Sequence, residues 1–327
     1  MKAIIYTQYG SADVLRLQDV VKPTPKDNEV LVKVHATSIN AADKLFLNGS
    51  SFMVRLMAGG NRKPKNPILG ADVAGIVEAV GSSVTQFKVG DAVFGDLSEA
   101  GRATFAEYVV APEASFVLKP TNITFEQAAA VPLAAITALQ GLRDKGQVQA
   151  GQKVLVNGAS GGVGSFVVQL AKFYGAEVTA TTSTSKLDVA KALGADHVID
   201  YSKHDITRLG KQYDLIMDVG AYRSVFDYKP ILTPKGRYVL MGGSIGQIMK
   251  SLITGPLASF NSSKTLTTLS AKVNQPDLRI LAELLATGKI TPMIDRCYPL
   301  SEATDAMRYF ETGKVKGKVV ISVNSTQ

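Results

Sequence analysis

Gly158, Gly161 and Gly164 recur every third residue, with Gly162 beside them, inside the stretch VLVNGASGGVGSFVVQLAK. A run that reads as a buried strand precedes them and an apolar helical run follows. Glycines at such a junction permit a tight turn, let a ligand oxygen approach the backbone, and allow the helix to pack closely on the strand. The helix start then offers unpaired N–H groups and the positive end of its dipole, which together suit a pyrophosphate. The spacing is G-x-x-G-x-x-G rather than G-x-G-x-x-G, a weak signal by itself. Its place between strand and helix, with more strand–helix alternation to follow, makes Gly158, Ser160, Gly161, Gly162, Val163 and Gly164 a dinucleotide-binding turn.

An NAD-preferring site of this kind carries an acidic residue about 20 residues beyond the glycines, on the ribose hydroxyl. Here that position falls in TATTSTSK, at Ser183. Hydroxyls of Thr182 and Ser183 with the charge of Lys186 accept a 2′-phosphate that a carboxylate would repel, which favours NADPH as cofactor. The same residues also read as a capping turn before the helical KLDVAKALG, and one serine can serve both ends. Tyr201 follows the strand-like HVID and Val219 ends YDLIMDV; both stand at strand ends, where ligands of open α/β sheets bind, and Tyr201 reads equally as a strand-end residue. Gly242, Gly243 and Ser244, in VLMGGSIG, are assigned to the nicotinamide end of the site, with an ordinary surface turn as the alternative.

These residues need elements to hold them. Up to about residue 120, short β-like runs (KAIIYT, EVLVKVHATSI, DVAGIVEAVG, DAVFGD, TFAEYVVAP, SFVLKP) alternate with turn signals, predicting an all-β, barrel-like first domain. From Thr124, a plausible helix cap, the texture becomes helical and then alternates through KVLVN, EVTATTS, HVIDY, YDLIMDV, RYVLMG and TLTTLS. That alternation predicts a doubly wound parallel sheet, so the fold class is α/β. The last 50 residues read as helix, strand, helix, strand, with Leu278, Leu281, Leu284 and Leu285 on one helical face. Periodicity does not say to which domain this tail belongs.

Composition narrows the classes. The chain has 327 residues, 46% hydrophobic and 20% charged, which fits two soluble domains and disfavours disorder. A single cysteine, Cys297, permits no internal disulfide and too few thiolates for structural zinc. The longest uncharged run, Gln127 to Leu142, contains Pro132 and is shorter than the roughly 20 residues that span a bilayer, and the N-terminal residues lack a secretory signal pattern. No membrane partner and a cytoplasmic location are expected. The net charge of +8 biases the protein toward anionic ligands. Its basic residues are scattered, the densest cluster being Arg62, Lys63 and Lys65; that cluster reads as a solvated loop face or a phosphate contact. With no Trp and no aromatic–basic motif, nucleic acid is disfavoured as a partner.

Taken in order, MKAIIYTQYGSADVLRLQDV, EVLVKVHATSINAADK, GADVAGIVEAVGSSVTQFKVGDAVFG, FAEYVVAP, NGASGGVGSFVVQLAK, GADHVIDY and YPLSEATDAMRYFETGKVKGKVVISV resemble the medium-chain dehydrogenase/reductase superfamily, in particular its zinc-free quinone oxidoreductase-like branch. The resemblance implies a GroES-like β-barrel domain made of residues 1–122 and 272–327 around a Rossmann NADPH-binding domain of residues 123–271, with the active site in the cleft. Zinc-containing relatives carry a cysteine and a histidine where this chain has Asn40 and Ala71, with Asp72 beside it, so no metal is expected. Without a metal the implied acceptors are small, hydrophobic and electrophilic: quinones or α,β-unsaturated carbonyls, whose conjugation spreads the hydride's charge.

No side chain announces itself as catalytic. Asn40 and Asp43, in NAAD, match cleft positions of the family, and Asn-x-x-Asp is also a helix start. Thr137 and Lys318 match its cofactor-lining positions. Phe46, Phe52, Met53 and Met57 match an apolar wall over the substrate, though helical spacing also fits plain packing. Relatives pair through an edge strand, here KTLTTLSAK, and a homodimer is expected, although terminal lysines suit a free edge as well. Two other readings stay open: a specialised double-bond reductase, and a noncatalytic NADPH-binding protein whose positive charge serves RNA or a protein partner.

Overall fold

In the computed structural model, which describes residues 1–323, the chain forms two compact units: Met1–Leu133 together with the chain from Val273, and Ala134–Lys272. The strands in chain order are β1 (Lys2–Ile5), β2 (Arg16–Asp19), β3 (Glu29–Ile39), β4 (Asp72–Val80), β5 (Ala92–Asp96), β6 (Tyr108–Pro112), β7 (Phe116–Leu118), β8 (Lys153–Asn157), β9 (Glu177–Thr182), β10 (His197–Asp200), β11 (Tyr213–Asp218), β12 (Leu232–Leu240), β13 (Thr265–Thr268), β14 (Ile294–Pro299) and β15 (Lys318–Ser322).

The first unit is built on a seven-stranded sheet ordered β14-β15-β3-β4-β5-β7, with β6 also paired to β3. All pairings are antiparallel except β14 with β15. The GroES-like expectation holds. Its core is valine-rich, including Val30, Val32, Val34, Val73, Val77 and Val93, because β-branched side chains pack well on a pleated, enclosed surface. The chain returns to this unit at its end: β15 pairs with β3, placing Val319 opposite Ile39 and Val320 opposite Ser38. That settles where the tail belongs.

The segment 123–133 also stays with the first unit, downstream of the boundary expected at residue 122. The reason is local packing. Phe125, at the start of a short helix capped by Thr124, stacks at 4.2 Å on His35 of β3, and Leu133 N–H donates to Asp72 of β4.

The second unit is a six-stranded parallel sheet ordered β10-β9-β8-β11-β12-β13. β8, first in the chain, lies between β9 and β11, so successive crossovers leave it in opposite directions. This is the doubly wound arrangement, with its switch point at the carboxyl end of β8. Val154, Leu155 and Val156 are fully buried, which explains why β8 reads as an unbroken apolar run. The edge strand β13 pairs with β12. Among the elements absent from the sequence reading are β2 and a 15-residue helix Ile245–Ser259 that contains Pro256.

Candidate active site

The parallel sheet collects the residues expected to hold a dinucleotide at one edge. Gly158 to Gly164 follow β8, Ser183 to Lys186 follow β9, Tyr201 follows β10, Val219 follows β11, and Gly242 to Ser244 lie just beyond β12. Thr182 is the last residue of β9. Gly158 has φ +83°, where an L side chain is strained, and a Cβ on Gly164 would lie 2.1 Å from the Gly158 carbonyl oxygen. Both glycines are therefore required by the backbone itself. Gly161 differs: it starts the helix Gly162–Phe173 with φ −86°, and a Cβ there would meet nothing nearer than 3.6 Å. No side chain caps that helix, so its first N–H groups remain available to an anion. The turn fits a pyrophosphate.

Beneath this edge lies a buried polar network the sequence reading missed. Thr181 Oγ1 donates to Asn157 Oδ1 at 2.7 Å. Asn157 Nδ2 donates to Asp218 Oδ1 at 2.7 Å and to the Tyr228 hydroxyl at 2.9 Å, and the Tyr238 hydroxyl donates to Asp218 Oδ2 at 2.7 Å. Burial raises the Asp218 carboxyl above its ordinary value against the pull of these donors. The network ties the ends of β8, β9 and β11 together and so sets the floor of the turn. Its only signal in the sequence was a polar residue closing an apolar strand, as in VLVN and LIMD.

At the turn after β9, Ser160 Oγ lies 2.6 Å from Thr182 Oγ1, which links the end of that strand to the glycine loop. Thr184 Oγ1 donates to Asp200 Oδ2 at 2.5 Å and Ser202 N–H to Asp200 Oδ1 at 2.9 Å. Asp200, which ends β10, thus accepts a hydrogen bond on each oxygen from its neighbours. Ser183 and Lys186 stand on the turn this clamp holds. Tyr201 faces Tyr222, with ring centroids 5.6 Å apart, and Ser244 caps the helix Ile245–Ser259 through the Gln247 N–H. Thr137 is buried within the helix Pro132–Gln140.

In the first unit the structure brings Asn40, Asp43 and Lys318 together, and adds Asp72. Lys318, 2% exposed, donates from Nζ to Asn40 Oδ1 at 2.5 Å and to Asp72 Oδ2 at 3.1 Å. Asn40 Nδ2 donates to the same Asp72 oxygen at 2.9 Å, and Ser38 Oγ at 2.6 Å. Asp72 Oδ1 accepts Leu133 N–H at 2.8 Å. The helix-start reading of NAAD is realised too, for Asp43 Oδ2 accepts Asn40 N–H at 2.7 Å and the helix Ala41–Asn48 follows. Asp43 Oδ1 accepts Gly70 N–H at 3.1 Å, and the residue is fully buried. Desolvation pushes its carboxyl up to about 6, with Arg102 the main opposing influence. Asp43, expected as catalytic, places one oxygen on the N–H of Asn40 and the other on that of Gly70, and so braces the backbone at the helix start. Lys318, expected to line the cofactor, has its ammonium on the Asn40 amide oxygen and on Asp72.

The apolar wall divides. Phe46 and Met57 line a cavity of about 550 Å³ in the first unit, with Tyr6, Pro67, Leu69 and Arg102 among the other walls. Phe52 and Met53 do not line it; they are 65% and 48% exposed on the helix Phe52–Met57, which turns Val54 inward instead. Helical spacing alone could not tell these faces apart.

A catalytic metal fits poorly. Among the described residues no group of three or more His, Cys, Asp or Glu side chains is placed to hold one. His35 stacks on Phe125, His197 bonds Glu177, and Cys297 is a free, exposed thiol. At Asn40 and Asp72 the donor set already surrounds an ammonium. No step is derived through a metal.

Comparison with known proteins agrees with this architecture. The family model for the alcohol dehydrogenase GroES-like domain matches residues 26–121, and that for zinc-binding dehydrogenases matches residues 193–321. The chain is 38% identical to 2-methylene-furan-3-one reductase of Solanum lycopersicum over 98% of its own length and 79% of the relative's. It is 37% identical to the chloroplastic NADPH-dependent alkenal/one oxidoreductase of Arabidopsis thaliana, with the same coverage. The solved quinone oxidoreductase of Coxiella burnetii superposes with a TM-score of 0.89 at 32% identity, covering 99% of each chain. The chain belongs to the medium-chain dehydrogenase/reductase superfamily, in the quinone oxidoreductase-like branch of these nicotinamide-dependent oxidoreductases.

Proposed function

We propose that the protein is an NADPH-dependent, zinc-independent reductase that transfers hydride to quinones or α,β-unsaturated carbonyls. One observation carries this reading: the carboxyl edge of the parallel sheet joins a glycine turn with an uncapped helix start to a Ser183–Lys186 turn that has hydroxyls and an ammonium where an NAD-preferring site has an acid. The turn binds the pyrophosphate, and Ser183 with Lys186 takes the 2′-phosphate. The names of the tomato and Arabidopsis relatives support the conjugated acceptor.

When bound, the dihydronicotinamide supplies the hydride. In a conjugated acceptor the arriving charge moves onto the carbonyl oxygen, and a proton from solvent completes the product, so a Lewis acid is dispensable. The chain's own part is placement. Phe46, with Pro67 and Leu69, orients a flat apolar acceptor, while Lys318 and Asp43 hold Asn40 in one orientation. Zinc independence is supported by Asp72, whose Oδ2 already accepts from Ser38, Asn40 and Lys318.

The test is NADPH oxidation across quinones, enones, enals and saturated ketones, with and without a chelator. Turnover confined to conjugated acceptors and indifferent to the chelator is expected. Equal reduction of saturated ketones, or loss of activity with the metal, overturns the proposal. NADPH binding without any turnover points instead to a noncatalytic role. A homodimer formed through the outer edge of β13 belongs to the same proposal, and a monomer mass by light scattering would remove it.

A further inference from the structure

Arg102 is placed unlike any other arginine of the chain. Its Nη1 is buried, yet it has no hydrogen-bond partner. The guanidinium lies over the Phe46 ring, 4.2 Å from its centroid, on the wall of the 550 Å³ cavity. The carboxylates whose fields it influences do not take its donors. Asp43 is held by the N–H groups of Asn40 and Gly70, and Asp96 by Ser98. A buried donor left unpaired is costly, and more so when charged.

The backbone adds to that cost. Gly101, Arg102 and Ala103 have φ of +98°, +65° and +83°, two of them non-glycine residues in the left-handed region. Such conformations are strained and persist where the surrounding structure demands them. Here they turn a long cationic side chain inward from a surface loop. The Tyr6 hydroxyl lines the same cavity as a second donor, kept protonated because burial and Tyr9 raise it to about 12.

The remaining walls suit the body of an organic molecule: Phe46, Met57, Pro67, Ile68 and Leu69. The volume lies in the range of ordinary ligand sites. Lys65 lines the cavity and, with Arg62 and Lys63, is exposed beside it, so the cluster that read from sequence as a solvated face bears on this site. Glu99 is the one acidic lining residue, and it too is exposed. An anion approaching this cavity meets basic charge outside and, on the wall, a guanidinium whose Nη1 has no hydrogen-bond partner.

We infer that the cavity is a carboxylate-accepting substrate site in which Arg102 selects conjugated acceptors bearing an anionic group remote from the reacting double bond. The inference rests on the reductase reading above and specifies the substrate class of the same site. Phe46 and the other apolar walls enclose the body of such an acceptor; Arg102 and Tyr6 bond its carboxylate.

The test compares a matched pair, 4-carboxybenzylideneacetone and its methyl ester, in NADPH oxidation by the full-length protein. The acid is expected to exceed the ester in kcat/KM by about ten- to a hundredfold, mainly through KM, the range of a charge-assisted hydrogen bond. Arg102→Gln collapses that ratio toward one, and Arg102→Lys keeps part of it. Benzoate, which cannot be reduced, inhibits competitively against the acid. Equal kcat/KM for acid and ester in the wild type, or a ratio unchanged in a folded Arg102→Gln, overturns the inference. The wild-type ratio and benzoate inhibition need no variant, so a misfolded substitution does not leave the matter open. Turnover of both acceptors without preference sinks this inference and leaves the reductase reading standing. Benzoate binding measured calorimetrically and lost in Arg102→Gln, with neither acceptor reduced, does the reverse.

Discussion

A methyl group added at position 164 has no space to occupy. Its Cβ would sit 2.1 Å from the Gly158 carbonyl oxygen and 2.9 Å from the Ala159 Cα, both backbone. Gly164→Ala is expected to destabilise the apo-protein by about 1–3 kcal/mol or more, measured by urea unfolding. Gly161→Ala separates folding from binding, because its nearest neighbour would be 3.6 Å away. The apo-protein should lose no more than about 1 kcal/mol, the scale of a helix-cap change, while the Kd for NADPH rises at least about tenfold because the methyl group fills the phosphate's approach. The buried acids carry a second prediction at this scale. Asp43 and Asp96 are both raised to about 6, chiefly by desolvation, so the folded state binds more protons than the unfolded between about pH 4 and 6. Their contribution to stability is present below the unfolded value near 3.8 and is lost as pH rises through 6. Asp96→Asn, which can still accept the Ser98 N–H, should flatten the fall in unfolding free energy across that window; a slope identical to wild type would refute the assignment.

Elements in this protein are fastened by a few buried polar contacts. β15 arrives from the far end of the sequence, and Lys318, its first residue, reaches Asn40 after β3 and Asp72 at the start of β4. Lys318→Met would leave the Asp72 carboxylate, itself fully buried, without its ammonium. Removing one partner of a buried pair costs about 3–5 kcal/mol, so a drop of that size in unfolding free energy is expected. The same substitution should raise KM for the acceptor, since Asn40 is no longer held; unchanged stability and KM would show that the ammonium is dispensable. The strands were legible because β-branched runs bounded by turns carry their own signal, as in EVLVKVHATSI and KVLVN. The helix Ile245–Ser259 was not, because Pro256 and two glycines interrupt its apolar pattern and only packing of Ser251, Gly255 and Ala258 decides its inner face.

At the scale of the molecule, the cofactor edge lies wholly within the unit Ala134–Lys272, which a ligand therefore stabilises by mass action. NADPH at a hundred times its Kd should add about 2.7 kcal/mol of stability, seen in scanning calorimetry as an upward shift of the transition that contains this unit. NADH at the same concentration should shift it less, because Ser183 and Lys186 lose their phosphate partner. Equal shifts would remove the basis for NADPH preference. The first unit is discontinuous in sequence, with β3 between β15 and β4, so its sheet is completed only by the returning chain.

Local chemistry was readable from the order of residues alone. The strand, the glycine turn and the helix after it form where VLVNGASGGVGSFVVQLAK places them, because such features depend on neighbours a few residues apart. Side chains whose roles depend on distant partners were not readable. Nothing near Lys318 in sequence announces Asn40 and Asp72, 278 and 246 positions away, and nothing near Arg102 announces a Phe46 ring under its guanidinium. Burial and unpaired hydrogen bonds are properties of the packed chain. Tertiary structure alone placed Asp43 against the Gly70 N–H, left Phe52 and Met53 on the surface, and buried Arg102 Nη1 without a partner.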